Sequence, residues 1–250
     1  MLVFITGATS GIGKSTAKIF AKNGNDLIIT GRRLERLQEL KKQLESDHKI
    51  RVTTLCFDIT KLSDVEAAVK SLSEENKKID LLVNNAGLAA GLSSIQDGNI
   101  AHWERMIDTN IKGLLYTTRI VSRLMIEHGK GHIINIGSIA GREVYANGNV
   151  YCATKHAVDA LNKGMRIDLL PHHIKVTAIN PGMVETEFSL VRFDGDEARA
   201  KKVYEGMQPL GPEDIADTIF WVATRPAHVN INDILIMPTV QATATNLIRN

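Results

Sequence analysis

Leu2-Val3-Phe4-Ile5-Thr6-Gly7-Ala8-Thr9-Ser10-Gly11-Ile12-Gly13 opens the chain. Four apolar residues read as a buried strand, and the glycines after them mark a tight turn into a helical pattern. That order is the first unit of a doubly wound α/β sheet, provided it recurs downstream. It does recur. Apolar, β-branched runs follow at Leu27–Thr30, Val52–Leu55, Leu81–Val83, Ile133–Ile136, Val176–Ile179 and Ile234–Ile236. Helical patterns lie between them at about 12–23, 33–48, 62–77, 101–128, 149–170 and 213–225. Near-continuous apolar strands alternating with helices require a parallel sheet covered on both faces, so the sequence predicts seven strands in one sheet. With no proline- or serine-rich linker, a single domain over 1–250 is expected. Residues 185–210 break the rhythm as a long charged stretch after a strand end, the place where α/β proteins carry ligand lids.

Of the 250 residues, 44% are hydrophobic and 23% charged, which excludes a disordered chain. The 30 basic and 28 acidic side chains leave a formal charge of +2, too near neutral for a protein that wraps nucleic acid or coats an anionic membrane. Small molecules and a second copy of the chain are the expected partners. Cys56 and Cys152 have neither disulfide-framework nor metal-ligand spacing. No metal site is expected. The first apolar run starts at Leu2, with no signal-peptide pattern before it, and no run approaches the ~20 residues that span a bilayer. A cytoplasmic location is therefore expected.

Glycines at a strand-to-helix turn let backbone N–H groups approach a pyrophosphate closely. Here the spacing is G-x-x-x-G-x-G. Residues Ala8–Ser15 also come close to the phosphate loop of nucleotide hydrolases, with Lys14 and Ser15 in the phosphate and magnesium positions and Ala8 where a glycine belongs. A plain structural turn is the third reading. A dinucleotide site needs a group for the adenosine ribose after the second strand, where the chain has Thr30-Gly31-Arg32-Arg33 and no carboxylate. A guanidinium offers paired donors to the 2′-phosphate of NADP, so Arg32 and Arg33 favour NADP. Arg33 equally suits an ordinary helix-flanking charge paired with Glu35 or Glu39.

Ser138 follows the fifth strand run, and Tyr151 and Lys155 stand one helical turn apart at the start of a long helical pattern. A phenol acting near neutral pH needs a nearby cation, because its reference pKa is about 10. Lys155 is placed to supply one. The Ser138 hydroxyl is suited to hydrogen-bond a substrate oxygen on which charge changes.

The glycine pattern, Asp58, Asn84-Asn85-Ala86-Gly87, Asn110, Ser138, Tyr151/Lys155 and Pro181-Gly182 stand in the order and spacing of one family. The sequence resembles the short-chain dehydrogenases/reductases along essentially its whole length. The resemblance implies a Rossmann-like α/β domain and an NADP-dependent oxidoreductase. It implies that Gly7, Thr9, Ser10, Gly11, Ile12 and Gly13 hold the pyrophosphate, that Asp58 and Ile59 lie by the adenine, and that Asn85, Ala86 and Gly87 line the adenosine side. By the same resemblance Tyr151 carries the proton, Lys155 lowers the tyrosine pKa and holds the nicotinamide ribose, Ser138 orients substrate and Asn110 anchors a water. Pro181, Gly182, Val184 and Thr186 would pack around the nicotinamide.

Within the family the chain is most similar to NADP-dependent 3-hydroxy acid dehydrogenases, including serine and allo-threonine dehydrogenases. The residues that carry this are Gly137–Arg142, Val184–Phe193 and Ala227–Asn232. The resemblance implies hydride transfer at C3 of a small 3-hydroxy acid. Arg192 in the lid is the candidate for the substrate carboxylate, with Arg142 in reserve, and surface pairing with Glu187, Asp194 or Asp196 is its other reading. Other small alcohols or carbonyls, and a redox sensor that binds NADP without turnover, are the alternatives. Self-association as a dimer or tetramer through the helices at 101–128 and 149–170 is implied as well. The histidines, including the pair His128 and His132 near a turn, are expected to be solvated, and Cys152, Trp103 and Trp221 to serve packing.

Overall fold

The computed structural model describes residues 1–250. Seven parallel strands form one sheet in the order β3-β2-β1-β4-β5-β6-β7. They are β1 (Leu2–Ile5), β2 (Asp26–Gly31), β3 (Val52–Cys56), β4 (Leu81–Asn84), β5 (Gly131–Ile136), β6 (Ile174–Pro181) and β7 (Asp233–Ile236). The helices are α1 (Gly11–Lys22), α2 (Leu34–Asp47), α3 (Leu62–Lys70), α4 (Ile100–Ile107), α5 (Leu114–His128), α6 (Asn149–Asp168), α7 (Phe188–Arg192), α8 (Glu197–Lys202) and α9 (Pro212–Ala223). Successive side chains of a strand point to opposite faces, and the sheet buries both. Val3, Ile5, Leu27, Ile29 and Val83 pack into one core with Phe20, Leu37 and Ile219 of α1, α2 and α9. Phe4, Ile28, Leu82, Ile133 and Val176 pack into the other with Val65, Val121 and Val158 of α3, α5 and α6.

Strand order reverses direction at β1, which pairs with β2 on one side and β4 on the other. The connections leaving β1 and β4 diverge there, and the gap at the carboxyl ends of the strands becomes a cleft. The opposite rim is closed by short turns and ion pairs, with Lys130 to Asp80 at 2.7 Å and Arg51 to Asp26 at 2.7 Å. It holds none of the candidate site residues.

Four expectations about elements change. The helix expected over 62–77 ends at Lys70, because the Ser71 hydroxyl donates to the Ala68 carbonyl and that of Ser73 accepts from Asn76 N–H, which competes with helix continuation. The single helix expected over 101–128 is broken by a wide π turn at Asp108–Gly113. Residues 185–210 are not an open loop but hold α7 and α8. The Glu185 N–H donates to the Leu210 carbonyl and the Leu210 N–H to that of Met183, at 2.9 and 3.0 Å, so the segment closes on itself. His132 is a buried residue of β5, with Nε2 2.8 Å from Thr177 Oγ1; burial pulls its pKa down to about 3.

Candidate active site

The cleft has a volume of about 570 Å³ and runs from Arg32 and Arg33 at one end to Tyr151 and Arg192 at the other. Its floor is made by strand ends. At β1 and β4 the Thr6 hydroxyl accepts from the N–H groups of Asn85 and Ala86, at 3.0 and 2.9 Å. The Asn85 amide donates to the carbonyls of Thr6 and Gly7 at 2.9 and 3.1 Å, so Asn85 lines the cleft and also holds the glycine loop in shape. Gly7 takes φ +67°, a left-handed conformation suited to glycine. A Cβ on Gly13 would sit 2.4 Å from the Gly7 carbonyl oxygen. Gly13 therefore does not line the cleft, as expected of it, but lets α1 start directly beneath the loop.

Lys14 and Ser15 are not arranged as in a nucleotide hydrolase. Lys14 is exposed, and the Ser15 hydroxyl donates to Glu213 of α9 at 2.9 Å. Asp58 lies on the wall beside Arg32. Burial pushes its carboxyl up, but hydrogen bonds from Thr60 and the charges of Arg32 and Lys61 outweigh this and hold it below its ordinary value. Arg32 has no ion-pair partner. Arg33 pairs with neither Glu35 nor Glu39 but with Glu187 at 3.1 Å, and it donates to Thr9 and Ser10 of the glycine loop at 2.7 and 3.0 Å.

At the other end Tyr151 and Lys155 lie on one face of α6, both buried. Tyr151 packs in an apolar cluster with Leu88, Met106 and Cys152, and the Phe188 ring lies edge-on at 5.7 Å. Burial pushes its phenol well above the ordinary value, helped by neighbouring Tyr145, while Arg192 and the Ser138 hydroxyl pull it back in part. Lys155 was expected to supply that pull. Its amine instead donates to the Ile136 carbonyl at 2.9 Å, and burial brings its pKa down to about 8. The cation that bears on Tyr151 is Arg192, 5.0 Å above the ring centroid.

Asn110 sits in the π turn. Its Oδ1 accepts from Leu88 N–H, and its Nδ2 donates to the Leu88 carbonyl and the Thr154 hydroxyl, at 2.8, 2.8 and 3.0 Å. A Cβ on Gly87 would stand 3.3 Å from Asn110 Oδ1 and 3.7 Å from Lys155 Nζ, so glycine keeps that wall open. Ser138 N–H donates to Asn180 Oδ1 at 3.3 Å. Ile59, Pro181, Gly182, Val184 and Thr186 also line the cleft. Arg142 does not, because it is paired with Asp233. Arg192 pairs with none of Glu187, Asp194 or Asp196; it donates to the Tyr145 hydroxyl at 2.6 Å, and its Nε is buried without a partner.

Sequence reasoning missed Tyr145, Phe188 and Gln241. Phe188 belonged to a stretch read as a lid but held no chemistry that marked it. Gln241 comes from the C-terminal segment, where it accepts from Met183 N–H at 2.9 Å; that segment also braces the lid through Asn250 N–H to Gly206 O at 2.8 Å.

Fold and site together define an oxidoreductase built on a dinucleotide-binding sheet. Residues 1–196 match the family model described as short chain dehydrogenase, and the chain belongs to that family. It is 49% identical over 245 residues to the NADP-dependent 3-hydroxy acid dehydrogenase YdfG of Salmonella typhi, covering 98% of this chain and 97% of that one. It is 46% identical over 242 residues to sulfoacetaldehyde reductase 2 of Chromohalobacter salexigens, covering 96% and 95%. A solved structure described as the closed form of serine dehydrogenase complexed with NADP+ superposes with a TM-score of 0.93 at 46% identity, covering all of both chains.

Proposed function

We propose that this chain oxidises small 3-hydroxy acids of the serine, allo-threonine and 3-hydroxypropionate type at C3, and reduces the corresponding carbonyls, with NADP as cofactor. The cleft fits the cofactor: Gly7 and Gly11 line it where a pyrophosphate needs room, and Arg32 and Arg33 stand where a 2′-phosphate requires cations. Gly7, Thr9, Ser10, Gly11 and Ile12 would hold the pyrophosphate, and Asp58, Ile59, Asn85, Ala86 and Gly87 the adenosine. Pro181, Gly182, Val184 and Thr186 would hold the nicotinamide. NADP, when bound, accepts or supplies the hydride.

The chain's own residues handle the proton. Tyr151 Oη takes it from the C3 hydroxyl in oxidation and returns it in reduction, while Ser138 holds the same oxygen. Lys155 holds the ribose, Arg192 is the cation that favours the phenolate, and Asn110 holds the Leu88 backbone.

The observation that carries the substrate class is Arg192. A lid guanidinium lies over the proton-transferring tyrosine with a buried, unpartnered Nε, an arrangement that calls for an anionic ligand. The test compares Arg192→Ala on a 3-hydroxy acid and on its methyl ester. A carboxylate clamp predicts a loss of kcat/KM of roughly 30-fold or more for the acid and little for the ester; equal losses would reduce Arg192 to ordering the lid. A sulfonated aldehyde presents the same kind of anionic head, and the similarity to a sulfoacetaldehyde reductase favours including it in the assay.

The protein is further proposed to self-associate as a dimer or tetramer and to work in the cytoplasm. The first rests on exposed Ile107, Leu115 and Ile167 along α4, α5 and α6; the second on two unpaired cysteines.

A further inference from the structure

We propose that Glu187 tempers the preference for a 2′-phosphorylated cofactor, by occupying the guanidinium of Arg33 until the 2′-phosphate takes its place. The inference rests on the proposed position of that phosphate at Arg32 and Arg33.

The two arginines are in different states. Arg32 is exposed and free of ion pairs, whereas Arg33 is folded across the mouth of the glycine loop. Its Nε and Nη2 donate to Thr9 Oγ1 at 3.2 and 2.7 Å, its Nη2 to Ser10 Oγ at 3.0 Å, and its Nη1 meets Glu187 Oε2 at 3.1 Å. A guanidinium has five N–H donors. Four are engaged here, so a phosphate receiving a paired contact from Arg33 must displace at least one partner. Glu187 is the one with matching charge. It leads from Thr186 into α7 and lines the cleft, so its carboxylate stands where the phosphate would be negative.

Arg36 makes the exchange inexpensive. It holds Glu187 independently, at 2.9 Å to Oε1 and 3.1 Å to Oε2. When Arg33 turns to a phosphate, Glu187 keeps a partner and the lid keeps its anchor on α2. A dianionic phosphate outbids one carboxylate for a half-exposed guanidinium. A dinucleotide without that phosphate makes no exchange, and its binding leaves the Arg33–Glu187 pair as it stands.

The experiment measures binding to the full chain by calorimetry for adenosine 2′,5′-bisphosphate and 5′-AMP, and for NADPH and NADH, in wild type and Glu187→Gln. Both side chains are close to half exposed, so the variant keeps its fold. The expected result is binding about three- to tenfold tighter for the two ligands carrying a 2′-phosphate, with 5′-AMP and NADH within about twofold of wild type. The gain should shrink at high salt. Unchanged or weaker binding of the 2′-phosphorylated ligands, or equal gains for all four, overturns the proposal. If wild type itself failed to distinguish adenosine 2′,5′-bisphosphate from 5′-AMP, the phosphate position would be wrong and both readings would fall together.

Discussion

Tyr151 and Lys155 stand one turn apart, and burial acts on them in opposite directions, raising the phenol and lowering the ammonium to about 8. Both shifts favour the neutral forms, so Tyr151 rests as the phenol, the form that donates the proton in carbonyl reduction. Tyr151→Phe removes the acid/base oxygen and keeps the ring. Single-turnover kinetics should show the hydride step slowed by about 10²–10⁴-fold with NADPH affinity nearly unchanged; a variant retaining most of its rate would point to another proton carrier. His132 gives a stability prediction. Its folded pKa of about 3 lies below the unfolded 6.5, so the unfolded chain binds an extra proton between those values. The contribution is complete above pH 6.5 and is lost as pH falls toward 3, by up to about 1.4 kcal/mol per pH unit. Urea midpoints at pH 7, 6 and 5 should fall less steeply for His132→Gln than for wild type. Tyr151 and Lys155 were legible because helical spacing fixes their relation. The contact of Arg33 with Glu187 was not, because it joins residues 154 apart in sequence through a lid whose path no local pattern encodes.

The glycine loop is the element on which the cofactor end depends, and its three glycines serve different ends. Gly7 supplies a left-handed turn, Gly11 lies under the Thr186 side chain, and Gly13 brings α1 against the Gly7 backbone. Gly13→Ala should be the damaging substitution, since its Cβ would meet a backbone oxygen at 2.4 Å and Asn85 Nδ2 at 2.5 Å. Thermal unfolding should register a loss of about 1–3 kcal/mol, together with weaker dinucleotide binding. Unaltered binding would mean that the loop can re-form around a methyl group. The seven strands were legible because each carries an apolar, β-branched run, although the edge strand β7 is only partly covered and leaves Leu235 exposed. The π turn at Asp108–Gly113 was not: one extra residue in a turn leaves the apolar pattern of 101–128 almost intact, yet it places Asn110 against Leu88. The two helices of the lid were also hidden, since segments of five and six residues carry too little periodicity to stand out.

Across the whole molecule, the cleft and the exposed apolar residues of α4, α5 and α6 lie apart. The cleft occupies the carboxyl rim of the sheet, while Ile107, Leu115 and Ile167 lie exposed on the helices of one face. If these helices pair with their copies, Leu115→Arg should place a charge in the contact. Sedimentation should then show wild type at two or four times the mass of one chain and the variant shifted toward a single chain; identical profiles would move the interface elsewhere. The partition between rims has a practical side. On the rim away from the cleft, Gly24 and Gly129 occupy turns with φ +72° and +76°, and nothing lies within 4 Å of where their side chains would begin. An affinity tag or surface linker spliced into either turn would point away from the cleft, so the molecule can be tethered to a support by that rim with its mouth facing solution.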